Sequence, residues 1–458
     1  MSAVAADHDD ERPLDRLHRL LEAGDDAELR AFLDTFAHGS DVADLLEDLD
    51  EDERIHLLGV LAELDPAMAA DALSEMEPEE HPEESLAALE PEQIAAVVAE
   101  LSDDDAADVI GEMEPEDRDR VLAALPHEDA GDIRDLMAYP PESAGGIMTA
   151  ELVSIPADCT AEQAIDEVRR QAQYMDEFYG VVFVVDAHEV LLGTVSLQAL
   201  VTASPDVPVS ELFNELVATV HPQTDQEEVG RVVSRYNLTI VPVVDSHGRL
   251  VGGVTFDDVI DVIEMESTED ILRLGGVSAE EEIRGGWWDA VRSRLPWLLL
   301  NTVTATAGAM VVWAFEGTIG RLTYLAVLMP MVAGMGGNSG TQALAVTIRR
   351  LAISRETVGQ RWSIVGKEFL VGLGNGLVIG LIVAVLAVAI EGEPMVGLVV
   401  MLAMWLNLTV GSFAGAFVPI VLERLKVDPA VASSVFVTAF TDMCGFFLLL
   451  GLATRLLL

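Results

Sequence analysis

Lysine is almost absent from this chain of 458 residues, occurring only at Lys367 and Lys426. Lys and Arg together number 26, against 79 Asp and Glu, which leaves a formal net charge of −53. This charge excludes general nucleic-acid binding, because contact with a phosphate backbone requires a basic surface. The composition resembles that of halophile proteins, whose surface carboxylates hold water and cations at high salt. We therefore interpret most of the acids as solvated surface.

Cysteine is equally scarce, and its two positions, Cys159 and Cys444, lie in parts of the chain with opposite character. A disulfide between them is not expected, and nothing indicates an oxidising compartment. The first residues are acidic and have no apolar core, so the sequence predicts no cleaved signal peptide. We expect the soluble part to remain in the cytoplasm.

Sequence signatures of catalysis are also missing. The chain has no Walker loop, no His-Glu-x-x-His, no Cys-x-x-Cys and no nucleophile elbow, and its nine histidines are scattered. These absences argue against an enzyme.

Acidic residues are concentrated in the first part of the chain. Up to Gly286 there are 70 acids against 15 arginines, a balance of −55, whereas the remainder has 9 acids and 11 bases, a balance of +2. The sequence therefore predicts an acidic soluble region followed by an apolar membrane region.

Units of about twelve residues repeat between Asp50 and Met137. Each opens with Pro, Ser or acidic residues, which suit helix starts, and continues with apolar residues at helical spacing. Stacked short helices in a superhelical, solenoid-like domain follow from such a period. The clearest units are Glu90–Leu101, Ser102–Met113, Glu114–Leu125 and Pro126–Met137.

A second repeat follows the linker near residue 140. Val181–Val201 aligns without gaps with Ile240–Ile260, and each copy reads as a strand, an Asp-centred turn, a second strand and a helix start. The tandem resembles a pair of CBS domains. In that family a Thr and an Asp three residues later hold a nucleotide's ribose, and Thr255 and Asp258 match this pattern in the second copy. The first copy has Ala199 in place of the Asp, which leaves one ATP site, with simple helix capping as the alternative.

Five apolar segments after Trp287 and Trp288 are long enough to cross a bilayer. Basic residues lie before the first segment and in alternate loops, so the positive-inside rule places the soluble region in the cytoplasm and the C-terminus outside. The segments are Leu295–Phe315, Leu322–Ile348, Phe369–Ile390, Val396–Leu422 and Ala430–Leu452.

Asp442 is the one acid placed well inside an uncharged apolar stretch, where a charge costs roughly 2.5–3.5 kcal/mol on insertion scales. Ser434, Thr438 and Asp442 recur at four-residue spacing and share one helix face. Because no Lys or Arg lies in the membrane core to pair with it, we interpret Asp442 as part of an ion path.

In the second segment, Gly336-Gly337-Asn338-Ser339-Gly340 fits both tight helix packing and pore lining. Oxygen ligands of this kind select hard cations such as Mg²⁺.

The order of these parts, together with Ala144-Gly145-Gly146-Ile147-Met148-Thr149 and the glycine-rich segment, resembles the MgtE magnesium channels over nearly the whole chain. The resemblance implies a homodimer in the bilayer whose pore is lined by the second and last membrane helices, including Asn338, Ser434 and Thr438. It also implies that cytosolic Mg²⁺ closes the pore by neutralising acids. By motif these positions, with the pore residue first, are Asp442, Asp104, Asp108, Glu227, Asp258, Asp261, Glu266, Glu269 and Asp270; a further position that is usually acidic in the family is Asn237 here.

The sequence thus predicts a multi-domain membrane protein with an all-α superhelical domain (1–140), α/β tandem CBS domains (141–203 and 204–262), a connecting helix (263–290) and a five-helix all-α transmembrane domain (291–458). We expect a Mg²⁺-selective channel of the cell membrane, with Mg²⁺ as cargo and regulator and ATP as a nucleotide ligand. One alternative keeps the fold but carries another divalent cation, such as Co²⁺ or Mn²⁺. The other is a membrane-tethered CBS nucleotide sensor, which five polar-containing segments argue against.

Overall fold

A computed structural model describes residues 13–23, 26–33, 35–77, 80–127, 129–174, 178, 180–277, 286–353, 358–425 and 434–458. The chain divides into two compact units, Met1–Glu264 and Met265–Leu458.

Short helices form the beginning of the first unit. Several start with a capping acid, as where Asp50 accepts the backbone N–H of Glu53 at 3.0 Å. Each of the four twelve-residue units predicted between Glu90 and Met137 contains one helix. The helices are α1 (Pro13–Ala23), α2 (Asp26–Leu33), α3 (Gly39–Glu47), α4 (Glu51–Leu64), α5 (Pro66–Ser74), α6 (Pro82–Ala87), α7 (Pro91–Val98), α8 (Asp103–Glu112), α9 (Pro115–Ala124) and α10 (Asp129–Leu136).

Two arginines close the ends of helices in the same way. Arg54 Nε on α4 donates to the carbonyl oxygen of Leu46 at 3.0 Å, and Arg118 Nε on α9 donates to that of Ile110 at 3.2 Å. Both arginines lie eight residues after their acceptor, so one helix-pair geometry occurs twice. Carbonyls at a helix end have no partner within the helix, and a guanidinium satisfies several of them. Arg118 thereby stabilises the end of α8.

The rest of the first unit is built from strands and helices. β1, β2, β3 and β4 form one sheet in that order, with β1 parallel to β2 and the other pairs antiparallel, while β5 and β6 form an antiparallel hairpin. The elements are β1 (Ser154–Pro156), α11 (Ala161–Gln171), β2 (Val181–Val185), β3 (Leu191–Ser196), α12 (Leu197–Thr202), β4 (Asn214–Glu215), α13 (Gln226–Tyr236), β5 (Ile240–Val244), β6 (Leu250–Thr255) and α14 (Phe256–Gly275). Helix α14 continues into the second unit.

The two hairpins have the same register, as the gap-free sequence repeat predicted. Val181 pairs with Ser196 in the first hairpin, and Ile240 pairs with Thr255 at the equivalent place in the second. Both hairpins also have a β-bulge before the last residue pair, at Val184–Val185 and at Val243–Val244. An aspartate follows the bulge in each copy and begins the loop between the two strands. In the second loop, Asp245 accepts the backbone N–H groups of His247 and Arg249, and these bonds hold the pKa of Asp245 well below its usual range.

The segment before β1 joins the short helices to the second copy. The backbone N–H of Ala144 donates to Thr224 at 2.7 Å, and Thr149 and Gly253 exchange two backbone hydrogen bonds of 2.9 and 3.0 Å. One apolar core runs from the α1–α10 region into the second copy, where it includes Val229, Val241 and Val259. The acid-bearing helix α8 and the start of α14 are therefore parts of one packed body.

Long helices dominate the second unit: α15 (Trp287–Ala314), α17 (Leu325–Ile353), α18 (Val358–Glu391), α19 (Pro394–Arg424) and α20 (Ser434–Leu456), with the short α16 (Glu316–Arg321) between the first two. Among the described residues, four helices are long and apolar enough to cross a membrane, and their candidate spans are Ala290–Ala314, Arg361–Glu391, Pro394–Arg424 and Val435–Leu456. Helix α17 is long enough but is not counted among them. The second unit thus has five long helices, and four of them are candidate spans, so the predicted count of five spans stays a prediction.

Candidate cation sites

Asp442 lies near the middle of α20 and is half-buried. Thr438 lies one turn earlier on the same helix and is exposed, so the polar face predicted from the four-residue spacing exists between these two residues. Ser434 is the first residue of α20, but its side chain lies outside the described part of the structure, as does the predicted helix start at Ala430.

A cavity of about 410 Å³ lies between α15 and α20 and contains Asp442. Its polar lining comes from Asn301 and Thr304 on α15 and from Thr438 and Asp442 on α20. The apolar lining is Ala305, Gly308, Ala309 and Val312 from α15 and Ala439 and Phe446 from α20. The carboxylate therefore borders an open space rather than a packed helix contact.

The glycine-rich segment of α17 has a face that packs against α19 and α20 and another face that is exposed. A side-chain carbon at Gly340 would lie 2.5 Å from Val437 on α20 and 3.3 Å from the backbone oxygen of Gly411 on α19. Ser339 is buried and shares a 2.7 Å hydroxyl–hydroxyl hydrogen bond with Ser412. Small residues here allow three backbones to approach closely, which supports the packing interpretation for this face.

Asn338 is exposed on a different face of α17, and it is not among the residues lining the cavity at Asp442. Its neighbour Gly337 faces α20, because a side-chain carbon there would lie 3.5 Å from the methyl carbon of Thr438. The assignment of Asn338 to a pore lining stays a prediction.

Acids from two helices face each other in the first unit. Asp104, Asp105 and Asp108 lie on α8, and Asp257 and Asp258 open α14 directly after β6. Asp104 is 8% exposed, and no described group hydrogen-bonds its Oδ1 atom. An orphaned buried carboxylate oxygen is costly unless a cation or a proton compensates it.

The pKa values in this acid cluster are raised. Burial raises the pKa of Asp104, and repulsion from Asp257 adds to it. Burial and then repulsion from Asp104 raise the pKa of Asp105 to about 6. The Asp108 side chain is exposed, but the surrounding protein reduces its hydration. This reduced hydration, together with repulsion from Asp104 and Asp105, raises the pKa of Asp108 to about 7.

The α14 side of the cluster behaves in the same way. Burial and then repulsion from Asp104 raise the pKa of Asp258. Burial, followed by repulsion from Glu75 and Asp257, raises the pKa of Asp261. Charge repulsion thus links acids at the end of α5, the start of α8 and the start of α14.

These carboxylates suit a hydrated Mg²⁺ ion. Within the described residues, no three His, Cys, Asp or Glu side chains are arranged to ligate one metal ion directly. Mg²⁺ gives up its water reluctantly and is commonly held through its waters by one or two carboxylates. The buried, unpaired oxygen of Asp104 is the atom that such an ion would compensate.

Thr255 and Asp258 form a cap at the start of α14. The Thr255 hydroxyl donates to Asp258 Oδ2, and the backbone N–H of Thr255 lies 3.4 Å from the same oxygen. In the first copy, Ser196 accepts the backbone N–H of Ala199 at 3.1 Å and no carboxylate is present. Both the capping and the ribose-binding interpretation fit this geometry.

The other predicted sensor acids lie elsewhere. Glu227 is on α13, where its carboxylate forms an ion pair with Arg231 at 2.7 Å. Glu266, Glu269 and Asp270 continue α14 within the second unit, and Glu269 pairs with Arg273. Asn237 ends α13 in the left-handed conformation, with φ of 52°, which suits Asn better than a larger acid.

Sequence reasoning missed Asp105 and Asp257 in the acid cluster and Asn301 and Thr304 in the membrane cavity. The run of three aspartates at 103–105 was a usable signal for the first, because it opens a helix. Asn301 was also visible as the one carboxamide in the apolar run 295–314.

Three family models match the chain. The MgtE model, described as a divalent cation transporter, matches residues 329–452, the MgtE intracellular N domain matches 37–142, and the CBS domain matches 144–206 and 209–265.

Relatives match nearly from end to end. The magnesium transporter MgtE of Enterococcus faecalis is 36% identical over 437 residues, covering 95% of this chain and 96% of that protein. The magnesium transporter MgtE of Thermus thermophilus is 35% identical over 448 residues, covering 96% and 98%. A crystal structure of the cytosolic domain of the Mg²⁺ channel MgtE in complex with ATP is 36% identical with a TM-score of 0.50, and the match covers 54% of this chain and 99% of that one. The chain therefore belongs to the MgtE family, whose members are ion transporters and not enzymes.

Proposed function

We propose that two copies of this chain form a Mg²⁺-selective channel that imports the ion down its electrochemical gradient. The observation that carries the proposal is the position of Asp442, a carboxylate in an apolar helix that borders a cavity with polar groups from two helices. An intramembrane carboxylate is expensive, so its retention is explained by a cation passing beside it. The magnesium transporters of E. faecalis and T. thermophilus match the chain over 95% or more of its length, which supports Mg²⁺ as the cargo.

The topology of the proposed channel has five spans. Helix α17 supplies the fifth, because its 29 residues reach across a bilayer at 1.5 Å per residue and its glycines pack against α19 and α20. An odd number of spans puts the two termini on opposite sides of the membrane, and the basic residues in alternate loops place the soluble region in the cytoplasm and therefore the C-terminus outside. Reporter fusions at residue 458 test this arrangement, and a cytoplasmic signal would contradict it.

Transport is tested by ion flux into liposomes that contain the purified chain. Asp442→Ala should abolish Mg²⁺ uptake, whereas Glu391→Gln, which removes an exposed acid at the end of α18, should leave it intact. Competition with Co²⁺ and Mn²⁺ in the same assay separates Mg²⁺ transport from transport of another divalent ion. Full uptake by the Asp442 variant would contradict the pore assignment.

Closure by cytosolic Mg²⁺ is the second part of the proposal. The raised pKa values and the orphaned Asp104 oxygen indicate that the cluster is unfavourable without a cation. Mg²⁺ that binds better when the acids are close favours the closed state by its difference in affinity between the two states. The resemblance to the family adds Glu266, Glu269 and Asp270, on the later part of α14, to the acids of this sensor.

Gating is tested in patch recordings from the triple variant Asp261→Asn, Glu266→Gln and Glu269→Gln. The variant should stay open at internal Mg²⁺ concentrations that close the parent channel. A control removes three exposed acids that lie outside the acid cluster, Glu162, Asp206 and Glu211, and so matches the change in net charge. Normal closure of the triple variant would contradict the sensor.

ATP binding at Thr255 and Asp258 is the third part. The related cytosolic domain was crystallised with ATP, and the second copy here carries the hydroxyl–carboxylate pair that would hold a ribose. Calorimetry in Mg²⁺-free buffer should show weaker ATP binding after Asp258→Ala or Thr255→Val and no change after Ser196→Ala. Equal affinity in all the variants would leave helix capping as the role of the pair.

A further inference from the structure

We infer that Asn301, on the first membrane helix, is a specificity-determining residue that holds the hydrated divalent cation opposite Asp442. The inference rests on the proposed channel function and adds a third helix to the ion path, beside the last and second helices that the sequence predicts. Asn301 is the one carboxamide in the apolar run 295–314, as Asp442 is the one acid well inside its own span. The structure places both on the same cavity.

The position of Asn301 is not explained by packing. The residue is exposed on α15, whose membrane-spanning part has little buried surface in the chain. The Thr304 hydroxyl donates to the backbone oxygen of Asn301 at 2.9 Å and lies 3.5 Å from the carboxamide oxygen Oδ1, so the hydroxyl is directed mainly at the backbone of α15. The Asn301 carboxamide therefore remains the main polar group that α15 offers to the cavity. A strongly polar side chain in a membrane span usually faces other polar groups or a water-filled path.

The cavity has the size for an ion that keeps its water. Mg²⁺ holds six oxygens in an octahedron, and six waters at about 30 Å³ each occupy roughly 180 Å³. The cavity volume of about 410 Å³ accommodates this hydrated ion without removal of its waters. In this arrangement Asp442 and the Asn301 oxygen accept hydrogen bonds from the metal-bound waters, and neither needs to reach the metal.

Selectivity follows from the small number of oxygens. Ca²⁺ needs six to eight oxygen ligands at 2.3–2.6 Å and loses water more easily, so one carboxylate and one amide are too few to replace its shell. A neutral amide at 301 therefore favours the ion that stays hydrated. A second carboxylate at this position would add direct ligands and would favour ions that dehydrate.

The test measures Mg²⁺ flux and permeability ratios of the full-length channel in liposomes. Asn301→Leu should lower Mg²⁺ flux about tenfold, and Asn301→Gln should restore most of it because the amide is kept. Asn301→Asp should raise the permeability of Ca²⁺ relative to Mg²⁺, a readout that a structural role would not change. The control is Thr302→Val on the same helix, whose hydroxyl bonds the Leu298 carbonyl at 2.9 Å and which does not line the cavity.

The outcomes separate the two proposals. If the parent conducts Mg²⁺ and Asp442→Ala does not, the channel function stands, and unchanged flux and ratios in the Asn301 variants overturn the inference alone. Equal losses for Thr302→Val and Asn301→Leu would also overturn it, since any polar group on α15 would then matter. If the parent does not conduct Mg²⁺, both proposals fail.

Discussion

At the scale of single residues, a few aspartates are held in the folded chain where their ionised form is unfavourable. Asp104 is buried with one oxygen unpaired among the described groups, and reduced hydration and charge repulsion raise the pKa values of Asp105 and Asp108 to about 6 and about 7. A carboxyl whose pKa is raised by folding binds its proton more tightly when folded. Its contribution to stability is therefore fully present below about pH 4 and is lost as pH rises through its folded pKa.

The first prediction is a fall in the stability of α8 with rising pH in Mg²⁺-free buffer. The fall should extend through pH 6 to 7, where Asp105 and Asp108 lose their protons, and saturating Mg²⁺ should remove it by pairing with the carboxylates. Amide hydrogen exchange of the full chain, corrected for intrinsic rates, reports the protection of Asp103–Glu112. Helix α11 is the internal control, because hydrogen bonds from Arg170 and Gln171 lower the pKa of its Glu167. Equal slopes in the two helices would contradict the prediction.

The residue scale is also where sequence reasoning was least complete. Asp104, Asp108 and Asp258 could be named from family motifs, and the structure brings these three together. Asp257 could not be singled out, because its neighbours along the chain give no sign that α8 packs beside the start of α14. The sequence shows Asn301 as the one carboxamide of its apolar run, but only the packing of α15 against α20 places it on the cavity that contains Asp442.

At the scale of elements, the membrane helices depend on close backbone approach. Gly411 and Gly415 on α19 face Gly336 and Gly340 on α17 so closely that a side-chain carbon would overlap a carbonyl oxygen. Without a hydrophobic driving force between helices in lipid, such contacts supply much of the packing free energy.

The second prediction is that Gly415→Ala destabilises the folded membrane unit by about 1–3 kcal/mol, the usual cost of overpacking. The added methyl group meets backbone atoms of Gly340, which cannot move aside without shifting α17. Gly374→Ala on α18 is the matched control, since no atom lies within 4 Å of its added carbon and Ala favours a helix over Gly. Thermal unfolding in detergent compares the two, and equal midpoints would show that α17 and α19 are not closely packed.

Element boundaries followed the sequence wherever the pattern was periodic. The gap-free repeat from Val181–Val201 to Ile240–Ile260 predicted two equivalent hairpins, and the structure gives both the same register. Helix α17 was harder to classify, since its Gly, Asn, Ser and Thr residues lower its hydropathy while serving its contacts. The sequence predicted a span at Leu322–Ile348 within this helix, whereas the candidate spans among the described residues are the other four long helices of the second unit.

At the scale of the whole molecule, charge is unevenly shared. The part up to Gly286 carries −55 and the remainder +2, so electrostatic repulsion acts almost entirely within the soluble region. Salt reduces such repulsion, because the screening length falls from about 10 Å at 0.1 M to about 3 Å at 1 M.

The third prediction is that 1 M KCl raises the thermal unfolding midpoint of the Mg²⁺-free chain and diminishes the extra stabilisation given by Mg²⁺. Salt relieves the repulsion that Mg²⁺ would otherwise neutralise, and it weakens Mg²⁺ binding to the carboxylates. A tenfold loss of affinity removes about 1.4 kcal/mol of stabilisation when the ion is in excess. Midpoints measured with and without Mg²⁺ at 0.1 M and 1 M KCl provide the comparison. An unchanged Mg²⁺ effect at high salt would contradict the prediction.

The matched hairpins have a consequence for the interpretation of mutations. Glu189 in the first copy and Gly248 in the second occupy equivalent positions and both have positive φ, 64° and 78°. Ala199 and Asp258 are equivalent as well, so the two copies have the same backbone geometry while one carries the acid and the other does not. The two copies therefore share a backbone frame and differ in the residue at this position, which separates the effect of the frame from the effect of the acid. The effect of a mutation in one copy can therefore be compared with the effect of the same mutation at the equivalent position of the other copy.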